Sequence, residues 1–446
     1  MRKNIYFTII MVLVFGHSFG QISFQEHSIT TNATGAISVY AIDVDSDGDI
    51  DMLSASHGDN KIAWYENDGS ESFTEHTIST NASSARSVFA IDIDGDSDID
   101  VLSASADDNK IAWYENDGNE NFTENVITTN AVEARCVTAI DLDGDGDVDV
   151  VAAAAGSGVI WLENDGSENF TQNLISDNVN GIQTVFAIDI DGDSDIDVFS
   201  ASNDDGKVAW FENDGNESFT ENAITTTAGN PRSVYAIDLD ADGDIDVLSA
   251  NADDATIVWF ENDGSENFTE YTVTTGAGWA QSVFAIDMDG DSDIDVLSSH
   301  ADDNVVAWHE NDGSENFSSH NISTNAAYVY SAFAIDVDDD GDIDVLSASI
   351  DDNKIAWYEN DLASGILLQN SQLDISLFPN PTKDILTIEG DGINHIEIKD
   401  VTGKIVKQLQ TSDSQIKIDL SNNSKGIYFV SLMTDTEIVT RKIVLE

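Results

Sequence analysis

Positive charge is what this sequence has least of: 17 lysines and arginines stand against 85 aspartates and glutamates, a formal net charge of −68. No nucleic-acid backbone is drawn to such a surface, so nucleic acid is excluded as a partner. Cysteine is nearly missing as well. The single Cys136 rules out an intrachain disulfide, and an exported chain without disulfides needs another staple, for which metal is the obvious choice. Beyond the first twenty residues no apolar run is long enough for a transmembrane helix, so no membrane span is expected. Helical periodicity is absent too. Acidity of this degree often marks disorder, but the chain is 41% hydrophobic and holds 8 Trp and 19 Phe, enough to build a core. The acid must therefore be solvated or bound to cations.

Residues 1–20, MRKNIYFTIIMVLVFGHSFG, read as a secretory signal peptide removed before Gln21. Arg2 and Lys3 form its basic start, Ile5 to Phe15 a short apolar core, and Ser18 and Gly20 the small residues of a cleavage site.

A repeat follows. The segment AIDVDSDGDIDMLSAS, beginning at Ala41, recurs with its first aspartate at Asp43, Asp92, Asp141, Asp189, Asp238, Asp287 and Asp336, in steps of 48 or 49 residues. Seven units of near-constant length mean one supersecondary unit repeated. Each reads as four short strands; in the second these are SVFAID, DVLSAS, KIAWYEN and NFTENVIT, with the turn NDG (Asn116 to Gly118) between the last two. Four strands in each of seven units predict an all-β chain, a seven-bladed β-propeller over residues 21–361. Trp64, Trp113, Trp161, Trp210, Trp259, Trp308 and Trp357 recur at one place in the unit, which assigns them to the core between blades rather than to a ligand platform. The seventh unit stops at Asp361 without a fourth strand, whereas Ser23 to Thr30 resembles a fourth strand with no third before it. The N-terminal strand is therefore expected to complete the last blade.

Each unit carries a loop D-x-D-x-D-x-D-x-D. The seven sets are Asp43, Asp45, Asp47, Asp49 and Asp51; Asp92, Asp94, Asp96, Asp98 and Asp100; Asp141, Asp143, Asp145, Asp147 and Asp149; Asp189, Asp191, Asp193, Asp195 and Asp197; Asp238, Asp240, Asp242, Asp244 and Asp246; Asp287, Asp289, Asp291, Asp293 and Asp295; and Asp336, Asp338, Asp340, Asp342 and Asp344. Positions 1, 3, 5 and 9 offer carboxylates, and position 7 can offer its carbonyl. Hard oxygen donors at this spacing suit Ca2+, up to seven ions in all. Without a cation so many carboxylates would repel strongly. Ser54 stands where an EF-hand would need its bidentate Glu, and a strand follows instead of a helix, so these are not EF-hands.

These loops and their period resemble the FG-GAP/VCBS-type repeats, whose calcium loops also occur in integrin α-subunit propellers; the resemblance covers about Ile22 to Asp361. The Phe-Gly and Gly-Ala-Pro signatures of the family name are absent. Ser97, Ser194 and Ser292 replace glycine at position 6, with Gly95, Gly192 and Gly290 at position 4, which leaves the geometry of those three loops open.

After a linker, 362–374, residues 375–446 read as a small β-sandwich with nearly balanced charge. Pro379, Asn380 and Pro381, then Asp400 to Lys404, Gly426 to Val430, and Arg441 with Lys442 resemble the type A C-terminal sorting domain of the type IX secretion system. The resemblance implies that this machinery is a partner, and that the protein crosses the outer membrane to be released or held at the cell surface.

Positions where the repeats differ are not scaffold. The propeller's basic residues occupy two places: Arg86, Arg135 and Arg232 before the first strand, and Lys61, Lys110, Lys207 and Lys354 at the start of the third. At the arginine position the other repeats carry Ile37, Gln183, Gln281 and Tyr330, and the same loops hold Tyr328 and Trp279, the one non-periodic Trp. One end of the channel is thus expected to display Arg, Gln, Tyr and Trp, opposite the acidic loops, a mixture suited to sugars and to carboxylate or sulfate. Alternatively the arginines only neutralise neighbours such as Asp107 and Asp108. His57, His76, His300, His309 and His320 fall at different repeat positions, which argues against a converged catalytic histidine. The reading is a monomeric, calcium-stabilised binding or adhesion module for a glycan or surface protein, with a polysaccharide-degrading lyase on the same scaffold as the alternative.

Overall fold

The second and third strands of every repeat are built from small and β-branched residues with an aromatic, and they are buried along almost their whole length. Asp51–Ser56 and Asp100–Ser105 have no exposed residue. A strand covered on both faces must lie inside a stack of sheets. In the computed structural model, described over residues 22–360, that stack is seven four-stranded antiparallel sheets. The C-terminal unit is described at 376–378, 382–383, 385–389, 393–400, 405–411, 415–420, 425–433 and 438–445. The signal peptide, the linker, Pro379 to Pro381 and residues 401–404 lie outside the described residues.

Blade 1 consists of Ala36–Ile42, Asp51–Ser56, Lys61–Asn67 and Phe73–Ser79, paired in that order. Blades 2 to 6 repeat it. Blade 7 takes Val329–Ile335, Asp344–Ser349 and Lys354–Asn360 from the end of the repeats and Phe24–Thr30 from the beginning, with Phe24 opposite Asn360 and His27 opposite Trp357. The strand left over at one end of the repeat array thus fills the vacancy at the other. First strands neighbour one another all the way round, Val329–Ile335 lying beside Ala36–Ile42.

Clusters of buried side chains bridge neighbouring blades rather than fill single ones. Trp64 of blade 1 packs with Val88, Val101 and Tyr114 of blade 2, and Trp357 of blade 7 with Met52 and Tyr65 of blade 1. The periodic tryptophans are 0–5% exposed, core as expected.

The channel face of the first strands is layered. Ser38, Ser87, Thr184, Ser233 and Ser282 each accept the backbone N–H of the next blade's first strand, at 3.1–3.3 Å. Below them Phe89, Tyr40, Phe333, Phe284, Tyr235 and Phe186 touch in series, with ring centroids 4.8–5.1 Å apart. Thr138 stands in the remaining place.

In the C-terminal unit a three-stranded sheet and a four-stranded sheet share one core of Leu386, Ile388, Ile396, Ile398, Ile416, Tyr428 and Val430. Gly426–Met433 is a central strand, and Arg441 and Lys442 lie on the edge strand Ile438–Leu445.

Candidate functional site

The first strand connects two candidate sites. Its seven residues span about 20 Å at roughly 3.3 Å per residue, with the variable basic position at one end and the acidic loop at the other.

In the acidic loops the five aspartates divide their work. The position-9 carboxylate is a bracket: Asp51 is buried, its Oδ2 accepts the N–H of Val44 (3.0 Å) and its Oδ1 that of Asn67 (2.7 Å). This ties the loop to the NDG turn, and all seven blades repeat it. Burial pushes Asp51 up to about 7, against the lowering effect of the Asn67, Val44 and Trp64 donors. The Trp64 indole N–H opposes the shift without meeting hydrogen-bond geometry. Sequence reasoning gave this Trp only a packing role. Position 1 folds the turn: Asp43 accepts from Asp47 (3.2 Å) and Gly48 (3.0 Å). Position 7 turns away: a Cβ on Gly69 would fall 2.4 Å from Asp49 Oδ2, and Gly69 has φ +69, so the NDG glycine is doubly required. Asp98, Asp147, Asp195, Asp244 and Asp293 meet their turn glycines in the same way.

Carboxylate oxygens of positions 1 and 3 converge with position 9 in Asp43, Asp45 and Asp51, and with position 5 in Asp92, Asp94 and Asp96, all within 4.8 Å of one another. Carboxylate oxygens this close to one another are within reach of a single hard cation with oxygen ligands. Burial, then repulsion from Asp291, raises Asp289 to about 6, which is the strain a cation would relieve. The serine-containing loops keep the common backbone. Position 4 has positive φ in every loop, and position 6 does too, at 79–81° for Ser97, Ser194 and Ser292. The geometry left open by those substitutions is therefore conserved.

At the other end the arginines lie inside the first strand rather than before it. Every first strand carries a β-bulge at its second residue, where the pairing skips one position. The skipped residues, in order round the ring, are Ile37, Arg86, Arg135, Gln183, Arg232, Gln281 and Tyr330. A bulge leaves its extra residue out of the ladder and re-aims its side chain. All seven line one cavity of about 210 Å3, whose floor is the hydroxyl layer. Trp279 stacks on Arg232, with the guanidinium carbon 5.2 Å from the ring centroid. Trp279 and Tyr328 do not line the cavity; they stand two residues before its Gln281 and Tyr330, each in a left-handed backbone conformation (φ 53° and 54°). Gly35, Ser84, Glu133, Gly181 and Asn230 hold that position in the other blades, all with positive φ.

The lysines behave differently. Lys61, Lys110, Lys207 and Lys354 are buried, and each meets a fourth-strand glutamate at 2.6–2.7 Å: Glu75, Glu124, Glu221 and Glu26. Asp108, one of the neighbours offered as an arginine partner, pairs with Lys110 instead (3.5 Å). Among the described residues Arg135 reaches Glu133 at 3.5 Å, while Arg86 and Arg232 form no ion pair. The Nε atoms of all three arginines are buried without a hydrogen-bond partner, as is Oε1 of Gln281. Burial, and then the charge of Arg135, lower the pKa of Arg86 against the pull of Tyr330, Asp107 and Glu133. These arginines are not saturated by the fold.

The histidine reading needs correction. His27, His76 and His320 share one place, the fourth residue of their strands, where each stacks on the blade's Trp and pairs with Glu359, Glu66 or Glu310 at 2.7–2.9 Å. His300 and His309 converge on Ser298 Oγ, each at 2.8 Å, inside blade 6. None of the five lines the cavity.

Fold and loops define a β-propeller of acidic repeats. The FG-GAP-like repeat profile matches residues 43–103, 92–152, 141–200, 189–249, 238–298 and 287–347, and the chain belongs to that family. Residues 376–446 match the secretion system C-terminal sorting domain, here of the type IX system, which marks the protein for passage across the outer membrane to the exterior or the cell surface. No helix among the described residues is long and apolar enough to cross a membrane. Among solved structures, the chain is similar to BBS1N from its complex with ARL6DN: TM-score 0.53 at 11% identity, over 76% of this chain and 96% of that one. That likeness shows the fold alone. PorZ, a surface component of the type IX system of Porphyromonas gingivalis, aligns at TM-score 0.49 and 14% identity over 93% of this chain and 59% of its own. No curated protein matches the chain.

Proposed function

We propose that this protein is an exported binding module, held together by calcium in the acidic loops, which takes a glycan or protein ligand at the opposite end of the channel. The observation that carries the reading is the ring of bulged residues. The fold spends a bulge in every blade to place seven non-scaffold side chains round one cavity, and among the described residues it gives Arg86 and Arg232 no carboxylate partner. A cavity lined by charged groups so placed is expected to take a ligand that pairs with them. Trp279 and Tyr328 support the same end: at a position that turns left-handed in every blade, these two put aromatic rings two residues from the cavity lining, and Trp279 stacks on Arg232.

Calcium would be held by positions 1 and 3 with position 5 or 9, and would neutralise loops that now repel themselves. The chain's own part is to preform the turn through the position-1 and position-9 acceptors. A glycan array with a lyase assay on the full secreted chain, run beside Arg86→Ala and Arg232→Ala, tests the ligand reading. Binding that both variants weaken supports it; binding that neither changes removes the cavity from consideration. Product formation by wild type, lost in the variants, would establish the lyase in place of the binder.

A further inference from the structure

The cavity is a donor-rich well, and its wall has two sides. Going round, Arg86, Arg135 and Arg232 with the two glutamines occupy one arc, and Tyr330 and Ile37 close the other. No carboxylate and no imidazole lines it, although the chain as a whole is strongly acidic. The floor adds donors. The side-chain oxygens of Ser38, Thr184 and Ser233 already accept a backbone N–H from the next blade, so their own hydrogens remain to be given. Gln281, 4% exposed, adds little surface of its own. Such an enclosure favours a group made of acceptors and negative charge, with an apolar edge for Tyr330 and Ile37. The lining ends at the hydroxyl layer; the aromatic layer beneath takes no part in it. A volume of about 210 Å3 lies below the usual range for drug-sized ligands, roughly 300–1,000 Å3. A single ring fits; a chain passing through does not.

Resting on the reading that the ligand site is this cavity, we infer that the well captures the end of a glycan chain, a terminal sugar bearing an anionic group, carboxylate or sulfate, and does not bind internal residues. Long-range attraction cannot deliver such a ligand to so acidic a surface, so recognition depends on contact inside the well.

The test is titration calorimetry on the full secreted chain with defined probes: methyl glucuronoside, methyl glucoside, methyl glucoside 6-sulfate, and two oligosaccharides, one ending in glucuronate and one with glucuronate only inside. The glucuronate-ended chain and at least one anionic monosaccharide should bind, the neutral glucoside and the internally charged chain about ten-fold or more weaker, and the two anionic monosaccharides show which anion is preferred. Arg86→Ala and Arg232→Ala should each weaken the binders about ten-fold or more, as loss of a charge-assisted hydrogen bond does. Equal binding of the internal-charge chain, or of the neutral glucoside, overturns the inference while leaving the cavity as the site, provided the arginine variants still weaken it. Capture of an acidic peptide in place of every sugar overturns it as well. Ligand binding untouched by the variants overturns the site itself.

Discussion

Ring closure can be tested with one atom. Lys354 lies in the last strand of the repeats and Glu26 in the N-terminal strand; Nζ and Oε1 are 2.7 Å apart, with side-chain exposures of 9% and 35%. Burial alone would pull the ammonium pKa down, and the hydrogen bond to Glu26 overrides it. Glu26→Gln leaves that charge with Asp352 at 3.6 Å. Breaking a fully buried pair costs about 3–5 kcal/mol, and the half-open glutamate and the remaining aspartate reduce this to about 1–2 kcal/mol. For a unit of this length the melting entropy is near 0.7 kcal/mol/K, so the melting temperature moves by only about 2 °C, and denaturant midpoints resolve the change better. Glu75→Gln is the control, because Lys61–Glu75 (2.6 Å) is the same pair within one blade. Both variants should lose similar stability. Limited proteolysis should separate them: Phe73–Ser79 is tethered by chain on both sides, whereas Phe24–Thr30 has blade 1 on one side only, so Glu26→Gln should be cut faster near Thr30 under native conditions. Equal cutting in the two variants, or a stability loss below about 0.3 kcal/mol, would refute the staple.

Calcium removal should lower the melting temperature sharply and added Ca2+ restore it, each ion held at 100 times its Kd contributing about 2.7 kcal/mol; an unchanged melt with no calcium by metal analysis defeats the cation reading. Burial holds His300 at about 4 and His309 at about 3, so both stay neutral when folded while the unfolded chain takes up protons near 6.5. The histidine contribution to stability should therefore fall as pH drops from about 6.5 towards 4, by up to about 1.4 kcal/mol per pH unit for each histidine, while the buried position-9 aspartates, raised as Asp51 is, act in the opposite sense. His309→Tyr, which restores the Tyr65–Ser54 arrangement of blade 1, should remove one histidine's share, read as the difference between the denaturant-midpoint profiles of variant and wild type. An unaltered slope would contradict this. Trp279→Asn should raise stability by up to about 1 kcal/mol by relieving the left-handed strain, yet weaken ligand binding; a destabilised variant would show that the Trp is structural.

The period, the periodic Trp and the mismatched ends made blades and closure legible from sequence, because each is a matter of counting. Bulges are not countable that way. An extra residue in Ala85–Ile91 changes only which partner each residue meets, so Arg86 read as a loop residue. The two basic positions looked alike until burial separated lysines paired with glutamates from arginines left unpaired. The shared histidine place was visible in FQEH, FTEH and FSSH, had the fourth strands been aligned. The bracket role of Asp51 was hidden because ligand and acceptor use the same carboxylate.

Closure by the N-terminal strand has a consequence for how the chain folds. Glu26 and Lys354 are 328 residues apart in sequence. The segment made first is the one needed last, and its partner edge exists only after every other blade has been synthesised. Loop-closure entropy grows slowly with such a separation, so the delay costs little in final stability. Kinetically it leaves a late intermediate of six complete blades and a three-stranded seventh, with the open edge of Lys354–Asn360 exposed to any passing strand. Domain swapping between two such intermediates, each lending its Phe24–Thr30 to the other, is the error this topology invites, and high protein concentration during refolding is the condition that would bring it out.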